Sequence, residues 1–241
     1  RMSRRIRNSN PRNQRKHNNK VDERAQREQF LQWSSREYEE GLATMGSPIS
    51  KFNAAQYFDI DEVRKTFQKK GTHDPGSVGA RDHNPLVRNA HIWSYDEFEV
   101  VNPVRQMFED INKKAFQYSI IDIQVPQLCV YYGRDTLNQS VDGHYTWHKD
   151  TRLVKGYAQR VLSMSILMND ATEYEGGELE ILTGISSRGK PLILEAGLQK
   201  AGDAIVFDSM MDHRVTPVTK GTRATLVTWC FGSHKSPEFF K

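Results

Sequence analysis

At 241 residues the chain is long enough for one substantial domain with extensions, or two small ones, and it can bury a real core. A hydrophobic content of 37% and a mean hydropathy of −0.70 fit a water-facing protein, and no apolar run approaches the roughly 18 residues that span a bilayer, so no membrane partner is expected. The net charge of +4 is uneven: residues 1–20 hold eight Lys or Arg and no acid, leaving 26 basic against 30 acidic residues in the remainder.

The N-terminus is polar and basic and lacks the apolar stretch of a secretory signal. Cys129 and Cys230, the two cysteines, each sit in an apolar run and read as buried free thiols. A reducing, cytoplasmic setting is the expectation.

Residues 1–20 have almost nothing to bury and read as a disordered basic tail. The tail holds no Phe, Tyr or Trp to stack on bases, so it reads first as a solvated or partner-binding arm. Nucleic-acid contact stays open only through phosphate attraction to this tail.

Residues 21–42 read as a charged helix with sparse apolar contacts at Phe30, Leu31, Trp33, Tyr38 and Leu42, followed by a break at Gly46-Ser47-Pro48. Asp59 or Asp61 can cap a helix through Val63, Phe67 and Lys70. Residues 71–90, with Gly71, Pro75, Gly76, Gly79 and Pro85, form a long loop and a candidate lid. Residues 21–91 are thus expected to be a helical and loop extension. Pro103 suits the first turn of a helix, and Val104, Met107, Phe108, Ile111, Ala115 and Phe116 follow at helical spacing as a packing stripe.

From Ile120 the pattern changes to short β-branched or aromatic runs between Gly, Asn and Asp turns: 120–132, 144–148, 160–168, 178–183, 191–195, 204–207, 213–218 and 222–231. The fold class is mainly β with flanking helices, a sandwich or jelly roll, in a domain spanning 92–241.

His148-Lys149-Asp150 lies in one of these runs. Residues i and i+2 of a strand face the same side, so the imidazole and carboxylate converge while Lys149 turns away. A lone His-x-Asp arises often by chance, but here a second histidine, His213, follows 63 residues after Asp150 in another strand-like run. Two imidazoles and one carboxylate make the facial triad that holds Fe(II) and leaves positions open for O2 and a co-substrate. Arg223 comes ten residues after His213, beyond a turn at Lys220-Gly221, and a strand–turn–strand path would bring it back toward His213. Its guanidinium can bind a carboxylate bidentately, with Thr225 adding a hydroxyl bond. Arg223, Thr225, Val227 and Trp229 would share one face. His17, His73, His83, His91, His144 and His234 lie in loops or tails and are read as non-ligands, His144 being the nearest competitor.

Five blocks in order carry a resemblance: Gly143-His144-Tyr145-Thr146-Trp147-His148-Lys149-Asp150; Arg160-Val161-Leu162-Ser163 leading to Leu167-Met168-Asn169-Asp170; Tyr174-Glu175-Gly176-Gly177-Glu178-Leu179; Gly202-Asp203-Ala204-Ile205-Val206-Phe207; and His213 through Arg223. Residues from about 92 to 232 resemble the iron(II)/2-oxoglutarate-dependent oxygenases of the prolyl 4-hydroxylase-like type, including bacterial and phage PKHD-type hydroxylases.

The resemblance implies a double-stranded β-helix with helices on one side, and His148, Asp150 and His213 as catalytic iron ligands. It implies Arg223 and Thr225 on the distal carboxylate of 2-oxoglutarate, and Tyr132 at the border of that pocket. Fe(II), 2-oxoglutarate and O2 are the implied cofactors, with ascorbate as an optional reductant. Trp229 is expected to pack behind the site, and Trp147 either to line it or to join the core.

Because Asp150 occupies the place that related halogenases leave to halide, hydroxylation is the expected outcome. A peptide or protein prolyl substrate is the first expectation, and a free amino acid or small metabolite the alternative. The more C-terminal second arginine common in the nucleic-acid dealkylating branch is absent. From another class, a non-catalytic jelly-roll module for metal or partner binding would use the same scaffold.

Overall fold

The computed structural model describes residues 49–76, 84–137, 139–151 and 159–233. The basic tail of residues 1–20, the helix expected over 21–42, and His17, His83 and His234 lie outside the described residues.

Helix α1 (Ile60–Lys70) starts where the sequence says it should. Asp59 takes an extended backbone, and its carboxylate accepts the Glu62 N–H at 2.9 Å. The helix buries Ile60, Val63 and Phe67, a single stripe. Helix α2 (Phe98–Ile111) begins five residues before Pro103, so the proline sits in the second turn and not the first. Val100 is buried and extends the stripe of Val104, Met107, Phe108 and Ile111 toward the N-terminus, which outweighs the one hydrogen bond that Pro103 cannot donate.

The strands among the described residues are β1 (Ile49–Asn53), β2 (Thr72–Asp74), β3 (Arg88–Asn89), β4 (His91–Ser94), β5 (Ser119–Ile123), β6 (Gln127–Tyr132), β7 (Gly143–His148), β8 (Gln159–Leu167), β9 (Tyr174–Gly176), β10 (Leu179–Ile185), β11 (Pro191–Glu195), β12 (Asp203–Asp208) and β13 (His213–Ser233). The run expected over 120–132 is split in two by Pro126, which cannot donate to a ladder.

One sheet runs β1-β12-β8-β13-β6-β4-β2, with β5 on the last residues of β13. In the other, the first residues of β13 lie between β10 and β7, with β11 beside β10 and β3 beside β7. All these pairs are antiparallel, and the arrangement is a jelly roll.

β13 serves both sheets. His213 to Val218 pair in the smaller one and Thr222 to Ser233 in the larger. Where the sequence suggested a turn at Lys220-Gly221, the strand continues through a kink. Gly221 has φ 70°, and a Cβ there would meet the Glu173 carbonyl oxygen at 2.1 Å, so only glycine passes.

The helices pack on the larger sheet. Leu162, Met164, Ile166 and Leu226 meet Phe67, Val104, Met107 and Phe108 in one cluster. The opposite faces of β6, β8 and β12 point between the sheets, where Cys129, Tyr131, Leu167, Ile205 and Phe207 join Leu179, Ile181 and Val215.

The sequence drew the domain's edge at residue 92. In the structure β1 pairs with β12, and β2 pairs with β4 beside β6, so residues well ahead of that edge complete the larger sheet. Strands of two to five residues carry too little alternation to be read from sequence alone. No helix among the described residues is long and apolar enough to cross a membrane.

Phe67 is fully buried between helix and sheet. Phe67→Ala is expected to lower the unfolding free energy by about 3–5 kcal/mol, and Asp59→Ala, which removes only the cap, by about 1 kcal/mol, both read from urea denaturation midpoints at constant slope.

Candidate metal centre and its pocket

His148 ends β7, Asp150 follows two residues later, and His213 opens β13 directly opposite His148 in the pairing register. One donor atom from each lies within 4.8 Å of the others. His148 Nε2 stands 3.6 Å from Asp150 Oδ1, and His213 Nε2 stands 3.3 Å from Asp150 Oδ2. His148 Nδ1 contacts the Thr146 carbonyl at 2.7 Å and His213 Nδ1 contacts that of Met211 at 2.9 Å. A carbonyl only accepts, so Nδ1 carries a proton in both rings and Nε2 is the ring atom that each turns toward the shared space. The Tyr145 ring stacks on His148 with centroids 3.5 Å apart, and Phe207 meets His213 edge-on at 4.8 Å.

Asp150 is fixed as firmly. Its Oδ2 accepts the Ser163 hydroxyl at 2.7 Å, and its N–H donates to the Ser209 carbonyl. Because Ser163 spends its proton on Asp150, the 2.9 Å Ser209–Ser163 contact must run from Ser209 to Ser163. Burial would raise the Asp150 carboxyl, but the charge of His213 and hydrogen bonds from both imidazoles hold it well below the ordinary carboxylate range. Burial also lowers His148, reinforced by His213, whereas Asp150 pulls His213 upward against the same burial effect.

The cavity beside the three residues has a volume of about 310 Å³. Arg223, Thr225, Val227 and Trp229 all face it from β13, as the alternation required. Arg223 is 2% exposed and Thr225 is fully buried, yet Arg223 Nη1 and Thr225 Oγ1 have no hydrogen-bond partner among the described residues. Two orphaned donors side by side in a closed space are costly unless a ligand accepts from them. The Arg223 stem runs over Gly177, whose φ is 68°. A Cβ there would lie 2.8 Å from Arg223 Cδ and from Val218 Cγ2.

Three expectations need correction. Tyr132 does not line the cavity; Tyr131 does. Tyr131 is the residue opposite Arg223 in the β6–β13 register and shares its face, while Tyr132 points toward the helix-side cluster. Trp229 lines the cavity and does not pack behind it, with the Arg160 guanidinium 3.9 Å over its ring. Trp147 is not among the lining residues and lies under Arg214.

His144 is held away from the centre by the carbonyls of Asp142 and Leu86. His73 and His91 stack on each other near Trp93, outside the triad. Sequence reasoning missed Ser163, Tyr145, Arg88 and Arg160. Ser163 and Ser165 did carry a signal, being two hydroxyls at alternate positions of an otherwise apolar run.

A jelly roll with a His-x-Asp…His cluster and a buried arginine on the last strand defines a class of iron-dependent oxygenases. Residues 132–231 match the family model of the 2OG-Fe(II) oxygenase superfamily. A PKHD-type hydroxylase of Nitrosomonas europaea is 27% identical over 170 residues, which cover 68% of this chain and 69% of that protein. A second, from Azoarcus, is 39% identical over 84 residues, 33% of this chain and 34% of that one. The described fold is similar to a Pseudomonas putida prolyl-4-hydroxylase (TM-score 0.53, 18% identity, 80% of this chain and 96% of that one). It is also similar to a Trichoplax adhaerens prolyl hydroxylase solved with a hypoxia-inducible-factor peptide fragment (TM-score 0.58, 17% identity, 84% and 92%).

Over residues 132–231 the chain is a 2OG-Fe(II) oxygenase domain by its family match, and the relatives it resembles are PKHD-type hydroxylases. It is an enzyme of the class that uses Fe(II), 2-oxoglutarate and O2, and its His/Asp/His cluster is a donor set that fits iron.

Gly177→Ala adds a methyl where Arg223 passes and forces a non-glycine residue to positive φ. The variant is expected to lose about 1–3 kcal/mol of stability and to displace the Arg223 side chain, the first read by thermal denaturation and the second in its crystal structure.

Proposed function

We propose that His148 and His213, through Nε2, and Asp150, through a carboxylate oxygen, hold a ferrous ion, and that Arg223 and Thr225 fix the far carboxylate of 2-oxoglutarate. On this reading the protein hydroxylates a C–H bond, in the manner of a prolyl 4-hydroxylase acting on a peptide or protein. The observation that carries it is the coincidence, in one cavity, of three convergent donor atoms with two orphaned buried donors, Arg223 Nη1 and Thr225 Oγ1.

Bound together, Fe(II) and 2-oxoglutarate supply with O2 the oxidising power that converts C–H to C–OH, leaving succinate and CO2. The chain's residues do the rest. Thr146 and Met211 hold the tautomers, and Ser163 with Ser209 orients the carboxylate. Tyr145 and Phe207 fix the rings and, with Tyr131, Leu179 and Val215, form walls that keep water from the reacting atoms. The Asp150 carboxylate occupies the position a halide would need, which favours hydroxyl transfer. A peptide substrate is supported by the Trichoplax relative, which was solved with one. Ascorbate would act as the external reductant, and a cytoplasmic setting suits the buried thiols of Cys129 and Cys230.

Anaerobic reconstitution with Fe(II) and 2-oxoglutarate should produce a metal-to-ligand charge-transfer absorption, and air should then release succinate. Asp150→Ala is expected to abolish both. Arg223→Gln should keep the metal and weaken 2-oxoglutarate by roughly a hundredfold, the cost of about 3 kcal/mol for removing one partner of a buried charged pair. Normal succinate release by Asp150→Ala would refute the assignment.

A further inference from the structure

Arg88 has no task in that scheme, and its setting gives it one. In the β3–β7 pair it stands opposite Tyr145, and its guanidinium carbon lies 4.7 Å from the centroid of the Tyr145 ring. Tyr145 stacks on His148, so the guanidinium stands one ring away from the proposed metal. Its tip crosses to the facing sheet, where Nη2 reaches the Cys129 thiol at 3.4 Å, and sulfur is a weak acceptor. Its Nε is enclosed with no partner among the described residues.

The other two arginines of the cavity are accounted for. Arg160 gives Nε to Gln124 and Nη1 to the Asp150 carbonyl, and it rests on Trp229. Arg223 fits the co-substrate. Asp150, the one acidic residue lining the cavity among the described residues, is engaged by both imidazoles and Ser163. A ferrous ion and a 2-oxoglutarate dianion cancel in charge, so the loaded cavity would hold three guanidinium groups against one carboxylate. A surplus of that sign, away from water, calls for a further anion.

We propose that Arg88 is the substrate's anion anchor and that the substrate presents a carboxylate to it while the reacting C–H faces the metal. The inference rests on the function proposed above and narrows its substrate class. Because one aromatic ring separates Arg88 from His148, carboxylate and reacting carbon belong to the same small unit. That unit is a free amino acid or the C-terminal residue of a peptide. A residue in mid-chain could offer Nε a carbonyl but no negative charge to offset the surplus.

The test uses the full chain loaded anaerobically with Fe(II) and 2-oxoglutarate, titrated with N-acetyl amino acids as free acids and as primary amides, and with the free amino acids. Binding is read from the shift of the charge-transfer absorption. At least one acid should bind about tenfold or more tighter than its amide, the usual range for a charge-assisted hydrogen bond. Preference for the free over the acetylated form identifies a free amino acid, and the reverse a C-terminal residue.

R88M should erase the acid–amide preference while leaving 2-oxoglutarate affinity within about twofold. It should leave the melting temperature of the unloaded protein little changed, since Met keeps the length of the side chain and Arg88 gives up one weak sulfur contact and one ring contact while its unpartnered Nε is removed. R88K, which keeps the charge, should retain part of the preference.

Absence of acid preference in wild type, or its persistence in R88M, would overturn the proposal. So would loss of 2-oxoglutarate binding in R88M matching that of R223Q, or a melting loss that weakens acids and amides alike. If the absorption never forms, the iron reading has failed by itself. Thermal shift of the metal-free protein by acid against amide then still decides whether Arg88 binds carboxylates.

Discussion

The two imidazoles both turn Nε2 into one space because each gives its Nδ1 proton to the carbonyl two residues behind it. The same local geometry occurs on two strands, β7 and β13, and antiparallel pairing sets His148 directly against His213. Neither ring must choose a tautomer when an ion arrives, because the backbone has already chosen. Asp150 completes the set from just beyond the end of β7, where the strand has stopped and the chain is free to turn its carboxylate inward. Its burial is tolerable only because Ser163 and the two rings surround it.

β13 then ties this centre to the anion pocket. A hairpin at Lys220-Gly221 would have left Arg223 on a neighbouring strand of the same sheet as His213. Instead the strand crosses at Gly221 from the smaller sheet to the larger. His213 therefore looks into the cavity from one sheet and Arg223 from the other. The ten-residue spacing between the pair works through this crossing, and the tolerance for it lies in one glycine whose Cβ position the Glu173 carbonyl already fills.

How much of this was legible depended on whether the signal was local. Asp59 and the Val63–Phe67 spacing marked α1, and the i, i+2 rule placed Arg223 with Thr225; Asp150 meets His148 by nearness in sequence, since β7 ends before it. Parity across strands was not legible. Tyr131 and Tyr132 are equally aromatic, and only the β6–β13 register decides which one faces the cavity. Arg88 was hidden for a similar reason. It belongs to a two-residue strand inside what reads as a loop, and its importance comes from Tyr145 and Cys129, which lie on two different sheets.

The cavity's three arginines divide between permanent and variable parts of the fold. Arg223 stands on the strand that serves both sheets, its stem wedged over Gly177 and its backbone paired with Tyr131 of β6, so changing its position means rebuilding the centre of the fold. Arg88 stands on a two-residue strand that, among the described residues, pairs with β7 alone at the edge of the smaller sheet. A residue on such an edge can be exchanged or shifted at little cost to the core. Chemistry shared by every substrate belongs on the first kind of element, and selection among substrates on the second. The placement of Arg88 thus fits a group that chooses what is oxidised, while β7 and β13 fix how.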